Sequence, residues 1–185
     1  MATLITGASS GIGEEFAHHY AAEKHDLVLV ARSEDKLNTL ADTLRSQHGI
    51  QVTVIALDLS EPDAAQRLWE ETNRARLEID VLVNNAGFGT HCDVADDNPD
   101  RLEQEVRLNC LTLTGLTARY LPTMQNRNHH KHCFDCGFSA AAPYGSVRRD
   151  QSICAVLYRS ALGRNPKRRH PSARGLPRPH RHLIL

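Results

Sequence analysis

A chain of 185 residues is long enough for one domain with its own core, and its 22 basic and 22 acidic residues cancel, which argues against an overall pull toward nucleic acid or an acidic membrane surface. Its five scattered cysteines are odd in number and do not suggest a secreted disulfide framework. No charged-then-apolar leader precedes Thr3, and no apolar run approaches the roughly 18 residues that span a bilayer, so the default expectation is a soluble, cytoplasmic protein with no membrane partner.

In chain order, Leu4 and Ile5 form a short apolar run that stops at Gly7. A helical pattern follows from Ile12, with Phe16 and Tyr20 at i+4 spacing. Leu27 to Val30 reads as a buried parallel strand. Ser33 can cap the next helix, whose Leu37, Leu40, Ala41 and Leu44 share one face, and Gly49 closes it. Val52 to Leu57 is a third strand. Ser60 is then expected to cap a further helix with Pro62 in its first turn and Ala65, Leu68, Trp69 and Thr72 on one face. Ile79 to Val83 makes a fourth strand, and a long helical stretch runs from Pro99 to Leu121 with Leu113, Leu116, Thr117 and Tyr120 together. Strands alternating with helices predict an α/β fold, a parallel sheet covered on both faces and half of a doubly wound architecture.

That pattern ends near Asn128. Asn128 to Gly137 shows no strand alternation, and from Gly163 onward the chain is rich in Pro, Arg and His, a composition that reads as disordered. Acidic residues lie mostly before Glu105, whereas the basic residues between Arg148 and Arg181 face only Asp150. The predicted organisation is one folded domain over 1–128 and an aberrant tail over 129–185.

The stretch Thr3 to Gly13 joins a strand to a helix through Gly7, Gly11 and Gly13. Glycines let the backbone turn sharply and approach a phosphate, whose charge is favoured by the free N–H groups at a helix start. Thr6-Gly-Ala-Ser-Ser-Gly-Ile-Gly13 and, further on, Asn84-Asn-Ala-Gly87 together resemble the cofactor motifs of the short-chain dehydrogenase/reductase family. The resemblance implies a Rossmann-type fold, incomplete here on its C-terminal side. It also implies hydride transfer between a nicotinamide and a carbonyl or alcohol substrate.

By that resemblance Gly7, Ser9, Ser10, Gly11, Ile12 and Gly13 hold the phosphates. Asp58 lies beside the adenine ring, and Asn85, Ala86 and Gly87 lie along the ribose, where the motif also steadies the sheet. Asn109 is the catalytic candidate, the asparagine that helps to hold a proton-relay water. Arg32, just past the second strand, suits a 2′-phosphate, so the cofactor expectation leans to NADP with NAD as the alternative.

The family's proton donor is a tyrosine with a lysine four residues on, the ammonium lowering the phenol pKa. Neither Tyr144 nor Tyr158 has that partner, and Tyr144 to Arg148 is a superficial imitation. Codons permitted by Val147 to Leu162, read one base later, allow a Tyr-Ala-Ala-Thr-Lys-Ala helix like the family's catalytic one. The same shift over Gly175 to His182 allows a Pro-Gly loop like that beside the nicotinamide, and codons around His132 to Asp135 permit an apolar strand. A single-base insertion or deletion near Asn128 accounts for all three. The literal chain is then expected to be inactive or badly impaired, and a homo-oligomer built through the altered segment is doubtful.

Three rival readings accompany this one. His129, His130 and His132 with Cys133 and Cys136 offer zinc-ligand chemistry, although no second cysteine pair completes the set and no metal is expected. Lys167 to His170 could touch phosphates of a nucleic acid, but no recognition fold accompanies it and no nucleic-acid partner is expected. The third rival is a non-catalytic nucleotide-binding remnant, which keeps the adenine half of the site without the proton donor.

Overall fold

The computed structural model describes residues 1–89, 95–125 and 132–135, the last four and Gln125 by their backbone alone. Five strands form one sheet: β1 (Ala2–Thr6), β2 (Asp26–Ala31), β3 (Val52–Ala56), β4 (Ile79–Asn84) and β5 (His132–Asp135). Their spatial order is β3-β2-β1-β4-β5, and every pairing is parallel. The connections carry α1 (Gly11–Ala22), α2 (Glu34–His48), α3 (Ala64–Arg74), α4 (Pro99–Val106) and α5 (Leu113–Gln125). This is the parallel sheet with flanking helices that the alternation of patterns predicts, and the Rossmann-type fold that the resemblance implies.

Side chains alternate across a strand, so each central strand feeds two cores. On one face Ile5, Leu27, Leu29, Val81 and Val83 pack with Ala17 and Tyr20 of α1 and Leu37 and Leu44 of α2. On the other Leu4, Val28, Val30 and Leu82 pack with Leu68 of α3 and Leu116, Tyr120 and Met124 of α5. The four α2 residues expected on one face are all buried, and Gly49 ends that helix in the left-handed region at φ 66. Ser33 stands at the N-cap of α2, without a side-chain cap bond.

Three features differ from the sequence expectation. Ser60 does not cap the helix after β3. That helix starts at Ala64 behind Asp63, whose backbone is left-handed at φ 57. Ser60 instead gives its backbone N–H and its hydroxyl to the carboxylate of Asp58, at 2.9 and 2.7 Å. An aspartate two residues upstream thus outcompetes the helix for the serine and inserts one more turn.

The long helix from Pro99 is also not continuous. Asn98 caps α4 by accepting from the backbone N–H of Asp100, but Arg107–Thr112 widens into a π-helical segment before α5. Finally, β5 forms where the sequence shows no alternation. Its backbone pairs with β4 from Val81↔His132 to Asn84↔Asp135, because the open edge of a parallel sheet supplies hydrogen-bond partners whatever the side-chain pattern. The tail beyond β5 lies outside the described residues.

The two helices on the second face are latched by a buried hydrogen bond. Tyr120 Oη and Thr72 Oγ1 are 2.7 Å apart, and Thr72 donates onward to the Trp69 carbonyl at 3.0 Å. Burial pushes the Tyr120 phenol up to about 12 against the partial relief of the Thr72 bond. Below pH 10 the phenol keeps its proton in both folded and unfolded chains. Between pH 10 and about 12 only the unfolded chain releases it, so stability falls as pH rises, by roughly 2–3 kcal/mol in total. Chemical denaturation across this window should show that loss, and Tyr120→Phe should remove it while costing about 1 kcal/mol at neutral pH.

Candidate functional site

The chain leaves β1 to build β2 and β3 on one side and then crosses to β4 on the other. The winding therefore reverses between β1 and β4, and ligands of such sheets bind outside the carboxyl ends of the strands at that point. An open cleft of about 270 Å³ lies there. Gly7, Ser9 and Ser10 line it after β1, Ala31 at the end of β2 with Arg32 and Ser33 beyond it, Leu57 to Ser60 after β3, and Asn85 to Phe88 after β4. Leu108, from the π-helical segment, also reaches it.

The cleft depends on a junction between the loops that follow β1 and β4. The Thr6 hydroxyl donates to the Val83 carbonyl at 3.2 Å and accepts from the backbone N–H groups of Asn85 and Ala86 at 2.9 and 3.0 Å. Asn85 returns two bonds through its Nδ2, to the carbonyls of Thr6 and Gly7 at 3.1 and 3.2 Å. The Gly7 and Ala8 N–H groups both point to the Val30 carbonyl, tying the same turn to β2.

Glycine is required for this closeness. At Gly7 the backbone is left-handed (φ 67) and an added Cβ would stand 2.9 Å from Ala86 Cα. At Gly13, on the first turn of α1, a Cβ would stand 2.2 Å from the Gly7 carbonyl oxygen, closer than any side chain tolerates.

Eight of the predicted cofactor residues meet in the cleft: Gly7, Ser9, Ser10, Arg32, Asp58, Asn85, Ala86 and Gly87. Gly11, Ile12, Gly13 and Asn109 do not line it. Gly13 packs behind the turn, whereas Ile12 is exposed at the start of α1. Asn85 turns its side-chain amide onto the first loop, so only the rest of the residue is left to face a ligand. Asn109 sits within the π-helical segment and pairs with one backbone position: Nδ2 donates to the Phe88 carbonyl at 2.8 Å, and Oδ1 accepts from the Phe88 N–H at 3.3 Å. Π-type irregularities often mark functional positions, and here the widened turn aims an amide at the loop that edges the cleft.

The electrostatics are simple. Among the described residues the lining carries one cation, Arg32, and one carboxylate, Asp58. Arg32 Nη1 lies 3.9 Å from Asp58 Oδ2. The start of α1 adds the partial positive charge of its free N–H groups. An anion with a polar, planar appendage suits such a donor set.

Sequence reasoning assigned no role to Thr6, the hub of the loop junction, and made Ser60 a helix cap where it instead anchors Asp58. A hydroxyl on the last residue of a strand, directly before the glycine turn, is the signal that could have singled out Thr6.

The chain has a single Tyr-x-x-x-Lys spacing, Tyr20 to Lys24, and the fold places it far from the cleft. Tyr20 is buried at the end of α1 against His25, and Lys24 donates to the His48 carbonyl at 2.7 Å, beside the amino ends of the strands. The side chains of His129 to Cys136 lie outside the described residues. Among the described residues no helix is long and apolar enough to cross a membrane.

A family model for short chain dehydrogenases matches residues 1–131. An 11-beta-hydroxysteroid dehydrogenase of Pinus massoniana is 44% identical over 86 residues, 46% of this chain and 24% of that protein. A very-long-chain 3-oxoacyl-CoA reductase of Aspergillus clavatus is 32% identical over 126 residues, 67% of this chain and 36% of its own length. Among solved structures, the short-chain dehydrogenase from Sphingobium yanoikuyae in complex with NADPH is 32% identical with a TM-score of 0.75, over 89% of this chain and 64% of that one. The chain thus spans about a quarter to two fifths of the length of the curated relatives it matches. With the glycine turn of β1 bound to the Asn-Asn-Ala-Gly loop of β4 at the reversal of a parallel sheet, and with this family matched across most of the chain, the protein belongs to the short-chain dehydrogenase/reductase family of oxidoreductases.

Proposed function

We propose that the protein is an NAD(P)-dependent oxidoreductase acting on a carbonyl or alcohol substrate, with NADP preferred, and that the chain as written binds the dinucleotide without turning it over. The observation that carries this reading is the cleft at the carboxyl edge, with a glycine turn for its floor and Arg32 on its rim. In it the backbone of Gly7, Ser9 and Ser10 receives the pyrophosphate, with Gly11 and Ile12 at the start of α1, outside the lining, adding the partial positive charge of the helix and Gly13 packed behind the turn. Asp58 faces the adenine, and Asn85, Ala86 and Gly87 run beside the ribose.

Arg32 takes a 2′-phosphate, the group whose planar, permanently charged partner is a guanidinium. The NADPH held by the Sphingobium yanoikuyae relative supports the same preference. The bound nicotinamide would supply the hydride donor or acceptor. Asn109 serves that chemistry at one remove, fixing Phe88 and, by family resemblance, a relay water.

Proton transfer is where the chain as written falls short. Among the described residues the tyrosine and lysine that the reaction needs have no counterpart beside the cleft, and Tyr20 with Lys24 stands at the wrong edge of the sheet. The one-base shift near Asn128 restores such a pair in the Val147 to Leu162 segment, and we take it as the origin of the present tail. The alternative is a nucleotide-binding remnant, favoured if the reading frame is as given.

Resequencing the coding DNA across the codons for Arg127 to Leu185 should reveal one base gained or lost. The restored product should reduce ketones with NADPH, while the present chain should bind NADPH in calorimetry and show no turnover. An unshifted frame would leave the remnant as the reading, and absence of NADPH binding would remove the cofactor assignment itself. Gly13→Ala should abolish NADPH binding and lower the melting stability by about 1–3 kcal/mol, since the backbone it meets cannot move aside.

A further inference from the structure

Asp58 is held from one side and faces a cation on the other. Its Oδ1 accepts two bonds from Ser60, backbone and hydroxyl, which fix the carboxylate to the loop after β3. Its Oδ2 is thereby left toward Arg32, with 3.9 Å between the charged atoms. These two side chains are the only charged groups of the cleft lining among the described residues. The Arg32 side chain is 77% exposed and that of Asp58 36%, so the pair is partly screened by water and the guanidinium can swing away from it.

We infer that Asp58 sets the preference between phosphorylated and unphosphorylated dinucleotides by competing with the 2′-phosphate for Arg32. The inference rests on the reading that Arg32 meets that phosphate. A ligand carrying the 2′-phosphate must draw the guanidinium off a carboxylate anchored by Ser60, whereas a ligand with a free 2′-hydroxyl makes no such demand. The present arrangement therefore tempers the NADPH preference that Arg32 alone would give and leaves NADH usable. A carboxylate at the end of β3 thus acts, through its neighbour, on a decision made at the end of β2.

The test is a double-mutant cycle read as the ratio of NADH to NADPH dissociation constants, measured by calorimetry on the full chain. Asp58→Asn keeps an acceptor for Ser60 and removes the charge. Any change in the adenine contact is common to both dinucleotides and cancels in the ratio. The ratio should rise about two- to fivefold, the range of exposed ion pairs. Arg32→Ala should collapse the ratio toward one, and Asp58→Asn added to it should then leave the ratio nearly unchanged.

An unchanged ratio in Asp58→Asn alone would overturn the inference. So would an equal rise with and without Arg32, since that signifies direct repulsion of the phosphate. If Arg32→Ala leaves the ratio of the native chain intact, the assignment of Arg32 to the phosphate falls first, a failure distinguishable from that of the competition.

Discussion

The bonds between Thr6 and the Asn85–Ala86 segment, with the return bonds from Asn85, are the constraint on which the cleft depends. Two loops leave neighbouring parallel strands, and each would expose unpaired backbone groups at the sheet edge. One hydroxyl and one amide satisfy them mutually, within 2.9 to 3.2 Å. Such closeness is available only because Gly7 and Gly13 present no Cβ to the opposing backbone. Gly7, which would receive a phosphate, is therefore also one of the residues that tie the loops after β1 and β4 together. Function and fold cannot be separated at this point of the chain, and a substitution there strikes both.

Around this junction the sheet is stiffened by two apolar layers, one under α1 and α2 and the other under α3 and α5. The second layer runs past the strand ends through Leu57, Leu59 and Phe88, so the cleft at the carboxyl edge is lined by polar and apolar groups alike. Interiors packed at crystal-like density do not deform gradually, which holds the backbones of Arg32, Asp58 and the glycine turn in place although each sits on a loop and the Arg32 side chain stays free to move. Ser60 adds a local tie that the core cannot provide. Without it, the Asp58 carboxylate would be one more mobile surface charge.

The break between α4 and α5 is the second device that shapes the cleft. Widening one turn over Arg107–Thr112 changes the phase of the helix, so that Leu113, Leu116 and Tyr120 face the core while Asn109 faces Phe88. The amide of Asn109 mimics the pairing of a neighbouring strand, offering both a donor and an acceptor to one backbone position. The π-helical segment serves both, with Leu108 in the core and Asn109 on the Phe88 backbone.

Most of the architecture was legible from residues alone. Apolar runs at Leu4, Leu27, Val52 and Ile79 and the α2 stripe of Leu37, Leu40, Ala41 and Leu44 are local patterns, and burial against a common sheet selects for them wherever they occur. The glycine spacing after β1 was legible for the same reason, since backbone curvature there has few chemical solutions.

What the sequence could not decide was every competition between partners remote in the chain or equivalent in chemistry. Ser60 looks like a helix cap until Asp58 is seen to claim it, and His132 to Asp135 look like no strand until β4 offers an unpaired edge. Asn85 reads as a ligand contact but spends its amide on the loop opposite, and Arg32 and Asp58 read as separate contacts but face each other. By itself, then, the sequence determined the α/β class, the strand order's local units and the place of the glycine turn, because period and backbone freedom are properties of neighbouring residues. The tertiary structure alone decided which polar groups meet, because a hydrogen bond or an ion pair depends on distance in space, and that distance is set by how the strands pair.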